Sequence, residues 1–285
     1  MSSIEAVGIL GAGFMGSGIA ESCSRHGVGV VLYEPEQAAL DQSRARIEES
    51  LGRAVSRGRA TEADRDAALD LISWTTKLDD LGSVDAAIEA VIEDVNVKGK
   101  LFQKLDALLP DAVFLASNTS SIPIAQLGSW TQRPERVIGL HFFSPVPVMS
   151  LIEIVVGYRT DPRSVEAGEK LAEKIGKYAV HTKDRSGFIV NFLLVPYLMA
   201  AIRMYQDGFA SREDVDQAMV RGCGYPMGPL TLADFIGLDV LYAIGDSLYE
   251  EFKQPEYAPP PLLKRMVVSG AHGRKSGSGF YDYTS

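Results

Sequence analysis

A doubly wound, mostly parallel α/β sheet followed by an all-helical C-terminal domain is the architecture this sequence predicts, and three observations predict it. Short apolar runs alternate with longer amphipathic stretches through the first 184 positions. A glycine turn, Gly11-Ala12-Gly13-Phe14-Met15-Gly16, joins the first run to the first stretch. After Lys183-Asp184-Arg185-Ser186-Gly187 the texture changes, and helical periods run on to Arg265 without a strand pattern. Strands alternating with helices require crossover connections and a parallel sheet covered on both faces. A chain of 285 residues also exceeds what one core commonly holds, so two domains are expected, 1–184 and 185–285.

In chain order, residues 6–10 read as a buried strand and 14–26 as a helix behind the glycine turn. Residues 28–33 are a second strand, followed by a long helix over 36–57, with Arg53, Arg57 and Arg59 at its end. A helix over 62–68 leads back to the sheet. Further strands are expected at 71–74, 86–89, 113–117, 137–141, 151–156 and 178–181, with helices over 95–109 and 165–175. Residues 188–202 are almost wholly apolar but contain Asn191 and Pro196 and stop at Arg203. That run is shorter than the ~20 apolar residues a bilayer core demands, so it reads as a buried helix opened or kinked at Pro196. The glycine-rich end, 273–281, carries Arg274 and Lys275 and is either a flexible tail or a loop folded back toward a phosphate.

Composition excludes several classes. Against 28 basic side chains stand 37 acidic ones, a formal net charge of −9 without a block of cations, which argues against nucleic acid as a partner. Cys23 and Cys223 lie 200 positions apart, so neither a disulfide framework nor a thiolate metal site is expected. The opening Met-Ser-Ser-Ile-Glu lacks the basic-then-apolar layout of a secretory signal, and a cytoplasmic protein is expected.

The glycine turn has the spacing of a Rossmann dinucleotide fingerprint, with a strand before it and a helix after. The first glycine permits the tight turn, the second lets a pyrophosphate approach bare backbone, and the third packs helix on strand. Phe14 and Met15 then open the helix whose amides face the phosphates. Glu34 closes the second strand, 23 positions after Gly11, close to where a ribose-binding carboxylate belongs. An acid there repels a 2′-phosphate, and no cation follows before Arg44, so NAD is expected rather than NADP.

Of the histidines, only His141 ends an interior strand, the side of an open α/β sheet on which ligands bind. The glycine turn and Ser117-Asn118-Thr119-Ser120-Ser121 occupy equivalent strand ends. Taken alone, His141 reads as a structural histidine before a catalytic one. Glu153 changes that: its strand neighbours Leu151, Ile152, Ile154 and Val155 are apolar on both faces, so its carboxylate needs a partner. A histidine beside it would have its tautomer fixed and its imidazolium stabilised, as a general base requires. A strand end fraying into solvent is the competing account. Ser120 or Ser121 could equally cap a helix starting at Ile122-Pro123, and Asn191, buried in an apolar helix, must find hydrogen-bond partners.

Together these segments resemble the short-chain L-3-hydroxyacyl-CoA dehydrogenase family, which includes bacterial 3-hydroxybutyryl-CoA dehydrogenases. The resemblance rests on GAGFMGSGIA (11–20), SNTSSIPI (117–124), HFFSPVPV (141–148), GFIVNFLLVPYL (187–198) and GYPMGPL (224–230), and it covers nearly the whole chain. It implies a Rossmann-like NAD domain followed by a helical domain that carries part of the substrate site and forms a homodimer. It implies His141 as general base, Glu153 as its orienting acid, and Ser120 and Asn191 as hydrogen-bonding partners of the substrate. Glu93, Lys98, Ser120 and Lys275 are implied as nicotinamide-side contacts, and Ser50 and Arg57 as contacts of the nucleotide end of coenzyme A.

Two positions depart from the family pattern. Ser144 stands near the nicotinamide where relatives usually have asparagine, and Phe192 follows Asn191 where several have arginine or a small residue. The implied reaction interconverts an L-3-hydroxyacyl-CoA, such as 3-hydroxybutyryl-CoA, and the 3-oxoacyl-CoA with NAD+/NADH. Two other readings accompany it: the same chemistry on a thioester held by acyl carrier protein, as in polyketide extender-unit synthesis, and a non-catalytic NAD-binding structural protein or sensor.

Overall fold

A computed structural model describes residues 4–284, and the chain divides into two compact units between Asp184 and Arg185. The first unit holds β1 (Ala6–Leu10), α1 (Phe14–Ser24), β2 (Gly29–Tyr33), α2 (Gln37–Ser56), α3 (Glu62–Asp70) and β3 (Ile72–Thr75). It continues through β4 (Ala86–Glu89), α4 (Val95–Leu108), β5 (Leu115–Ser117), α5 (Ile124–Gly128), β6 (Val137–Phe142), β7 (Leu151–Val156), α6 (Pro162–Lys174) and β8 (Tyr178–Lys183). Its single eight-stranded sheet runs β3-β2-β1-β4-β5-β6-β7-β8. All neighbours are parallel except β6 and β7, which meet antiparallel. The strand order reverses between β1 and β4, the point at which doubly wound folds open a crevice for ligands.

The interior strands are buried because both faces are covered: every residue of β4, β5 and β6 is buried. Ile9, Leu32, Ile88, Phe114 and Ile154 are among the core side chains at 0% exposure. Element types follow the sequence reading, with ends displaced by a residue or two, and by three at the start of α6, where Pro162 opens the helix. The helix that Ser120 or Ser121 could cap is α5, which starts at Ile124 rather than at Ile122-Pro123 and takes no side-chain cap from either serine. Its first amides, Ile124 N–H and Ala125 N–H, each donate at 2.8 Å to the carboxylate of Asp184, sixty positions away in the chain. A cap supplied from so far along the sequence leaves no local signature.

The second unit is helical: α7 (Val190–Gln206), α8 (Arg212–Cys223), α9 (Pro229–Ile236), α10 (Leu238–Phe252) and α11 (Pro261–Val268). Gly187 and Phe188 both take positive φ, 76° and 50°, so the chain turns there and α7 starts at Val190 rather than 188. Pro196 lies inside α7. Its core is built from Leu198, Met199, Ile202, Leu230, Leu238, Leu241 and Leu248. Phe192 packs edge-on against Phe252, centroids 5.5 Å apart, with the Arg185 guanidinium 4.5 Å above each ring.

The C-terminal segment is a folded loop rather than a flexible tail, and it is held to the helical unit itself. Asp234, 1% exposed, accepts Phe280 N–H and Tyr281 N–H at 2.9 Å and Tyr283 Oη–H at 3.0 Å. Burial pushes its carboxyl above the usual range, and these three donors oppose that rise. Among the described residues no helix is long and apolar enough to cross a membrane. Nor does any group of three or more His, Cys, Asp or Glu among them come together to hold a metal ion.

Candidate active site

The glycine turn crosses the switch point. Gly11 has φ 102°, and a Cβ there would fall 2.6 Å from the Ala90 carbonyl oxygen. A Cβ on Gly16 would sit 1.8 Å from the Gly11 carbonyl oxygen, so only glycine lets α1 start this close to β1. Around Gly13, by contrast, nothing lies within 4 Å of an added Cβ, leaving bare backbone facing open space at the head of α1. Phe14, 57% exposed, and the half-buried Met15 follow it. Glu34, just past the end of β2, accepts the Ala12 N–H at 3.0 Å, which places its carboxylate against the turn. Arg46, on α2, donates to the Ala12 carbonyl at 3.3 Å and to Ser17 Oγ at 2.7 Å, a brace the sequence reading did not identify. An open backbone cradle at a helix N-terminus with a carboxylate one strand away fits a dinucleotide. NADPH is accordingly expected to support much slower turnover than NADH, and equal or faster turnover with NADPH would refute the role of Glu34.

At the ends of β4 and β5 lies a second cluster. Lys98, 1% exposed on α4, pairs with Glu89 at 2.9 Å and with Glu93 at 2.8 Å. Glu93 also accepts hydrogen bonds from the hydroxyl of Thr119, from Ser121 Oγ at 3.0 Å and from the Ser120 N–H at 3.3 Å. The Ser117–Ser121 loop is thus fixed by an acid from the neighbouring connection, and Ser120 is displayed on a held backbone. Ammonium and hydroxyl donors hold the Glu93 carboxyl below its usual range despite the desolvation of its site. Asn118 Oδ1 accepts the Phe142 N–H at 2.8 Å, joining this loop to the end of β6.

Two strands further along, His141 of β6 and Glu153 of β7 are direct cross-strand partners. Their side chains meet, His141 Nδ1 and Glu153 Oε2 being 2.7 Å apart. An ionised carboxylate only accepts, so Nδ1 carries the hydrogen and the Nε2 lone pair faces away from the acid. Glu153 is 0% exposed and His141 7%, and Phe143 lies edge-on to the imidazole with centroids 4.7 Å apart. Ring orientation is therefore set on two sides. Ser144 follows, exposed at the start of the loop to β7.

The remaining expected residues are dispersed. Ser50, on α2, donates to Glu21 at 3.0 Å, while Arg57 caps the same helix and is exposed, as are Arg53 and Arg59. Asn191, 9% exposed, stands in the first turn of α7, and Lys275 pairs with Asp239 at 2.6 Å; both belong to the helical unit. Glu89 is the buried group the sequence reading missed. The signal was there, an acid closing the otherwise apolar strand Ala86-Ala87-Ile88, and it is the same signal that marks Glu153.

A nucleotide cradle and a carboxylate-braced imidazole on the carboxyl-end side of one sheet define the class: an NAD-dependent dehydrogenase. Residues 6–185 match the family model described as 3-hydroxyacyl-CoA dehydrogenase, NAD binding domain, and residues 187–283 match its C-terminal domain. The chain belongs to the 3-hydroxyacyl-CoA dehydrogenase family. It is 54% identical over 284 residues to a 3-hydroxybutyryl-CoA dehydrogenase of Mycobacterium tuberculosis, covering 99% of each chain. The crystal structure of M. tuberculosis FadB2 superposes with a TM-score of 0.97 at 53% identity, over 99% of this chain and 100% of that one. That of (S)-3-hydroxybutyryl-CoA dehydrogenase PaaH1 from Ralstonia eutropha gives 0.94 at 43% identity, over 99% and 100%.

Proposed function

We propose that this chain interconverts short L-3-hydroxyacyl-CoA thioesters, 3-hydroxybutyryl-CoA among them, and the corresponding 3-oxoacyl-CoA, with NAD+/NADH as the redox partner. The 2.7 Å contact between His141 and Glu153 at the end of β6 carries the reading. In the oxidation direction His141 Nε2 takes the proton of the 3-hydroxyl while hydride leaves the same carbon. Bound NAD+ supplies the hydride acceptor. Glu153 holds the imidazole in the tautomer that can accept that proton and offsets the positive charge that then forms on the ring. In the reverse direction the imidazolium returns the proton to the oxygen of the 3-oxo group. Ser120, on its fixed loop, is read as a hydrogen-bond partner of the substrate, and so, from the family resemblance, is Asn191.

The exposed Arg53, Arg57 and Arg59 suit the phosphates of coenzyme A, whose nucleotide end needs cations at the surface. Ser50 is read as a contact of the same end, and Ser144, Glu93 and Lys275 as contacts of the nicotinamide half of the cofactor. Oxidation of NADH by purified protein with acetoacetyl-CoA tests the reading, alongside the same acyl group on acyl carrier protein and CoA thioesters of increasing length. Consumption with the CoA thioester is expected; its absence with every thioester would overturn the assignment. The helical unit is read as a self-association unit, because it exposes Leu193 at 66%, Phe209 at 80% and Val268 at 80%. Light scattering should return a dimer, and a monomer would contradict that part.

A further inference from the structure

Glu89 ends β4 at 0% exposure with three donors on its carboxylate. These are Lys98 Nζ at 2.9 Å, Ser117 Oγ at 2.6 Å and the Val91 N–H at 2.7 Å. Burial pushes its carboxyl up, and the ammonium and the donors oppose that rise. Lys98 is shared with Glu93, so two carboxylates surround one ammonium, and with all three ionised the cluster carries one net negative charge. Of the three, only Glu93, with its side chain 40% exposed, reaches solvent.

The fold says which half of the dinucleotide passes there. The cofactor crosses the switch point between β1 and β4, and a carboxylate at the end of β2 belongs to the adenosine ribose. With Glu34 on that side, the nicotinamide half lies over the ends of β4, β5 and β6. Its ring is cationic when oxidised and neutral when reduced, so a fixed net charge beside it acts on one redox form and not the other.

We infer that Glu89 is a positioning residue that engages Lys98 from within the sheet, so that the ammonium does not serve Glu93 alone and the cluster presents net negative charge beside the nicotinamide, biasing the site toward the oxidised cofactor. In a Glu89→Gln variant the ammonium is balanced by Glu93 alone and the net charge of the cluster vanishes. A buried acid that merely supported the fold would, on replacement, weaken both forms of the cofactor together.

The inference rests on the NAD-binding reading, and the test separates the two. Dissociation constants for NAD+ and for NADH are measured by calorimetry on the intact chain, on Glu89→Gln, and on Glu93→Gln, a change at a partly exposed side chain that does not depend on the buried site tolerating an amide. The ratio of the NAD+ to the NADH constant should rise in both variants, on the order of tenfold for loss of one charge at close range. A ratio unmoved or lowered in either variant that binds nucleotide overturns the inference. Failure of the intact chain to bind either nucleotide would overturn the cofactor reading along with it.

Discussion

Replacing His141 with glutamine should lower turnover by roughly 10²–10⁴-fold, the range typical of lost general acid–base assistance, while NADH still binds. Glutamine approximates the reach of imidazole and can still hydrogen-bond Glu153, so the strand pair β6–β7 and the packing of Phe143 have no reason to move. What it lacks is a nitrogen that takes up a proton. Glu153→Gln should be milder, because an amide oxygen can still accept from Nδ1 at the 2.7 Å contact while the charge that stabilises the imidazolium is gone. Steady-state rates and NADH fluorescence titration on the same samples separate chemistry from binding. Unreduced turnover in His141→Gln would remove the imidazole from the mechanism altogether.

A second large effect should come from Gly13→Val, and it should fall mainly on binding. Gly13 has φ −68° and ψ −171°, an extended conformation that valine adopts readily, and nothing lies within 4 Å of the position its Cβ would take. Thermal stability of the free protein should therefore fall by no more than about 1 kcal/mol, the scale on which an apolar side chain is disfavoured at a helix N-cap. The same space is where the pyrophosphate has to approach the backbone. An isopropyl group there costs the bound state about 1–3 kcal/mol of overpacking, which is roughly a tenfold to hundredfold weaker Kd for NAD+. Gly16 offers the contrast: with Gly11 O 1.8 Å from its would-be Cβ, any side chain displaces α1 itself. Unaltered NAD+ affinity in Gly13→Val would mean that the nucleotide does not use this turn.

Much of the fold is legible along the chain because its causes are local. Apolar period and glycine placement locate the strands and most helices to within a residue or two. They miss the cap of α5, whose first amides donate to Asp184 from the far end of the unit and not to Ser120 or Ser121. The site is legible in a more particular way. A lone acid among apolar strand residues announces a buried carboxylate that must be partnered, which singles out Glu153. The same rule points to Glu89, but an acid at the last position of a strand reads just as well as a solvated end. Lys98 is a different case: the resemblance implies it as a nicotinamide-side contact, yet its side chain lies 1% exposed between two carboxylates, which no residue near it in the chain announces.

By itself the sequence determined which segments become strands and helices, where the chain changes from α/β to all-helical, and that a backbone cradle opens at Gly11–Gly16. Each of these follows from sterics and hydrophobic period acting within a few residues. Tertiary structure alone decided that His141 faces Glu153, because that depends on β7 running antiparallel to β6 in one register. It alone decided that one ammonium serves both Glu89 and Glu93. Charges in a low-dielectric interior are settled by whichever partners the fold brings within about 3 Å, and that proximity is a property of the packed sheet rather than of any stretch of chain.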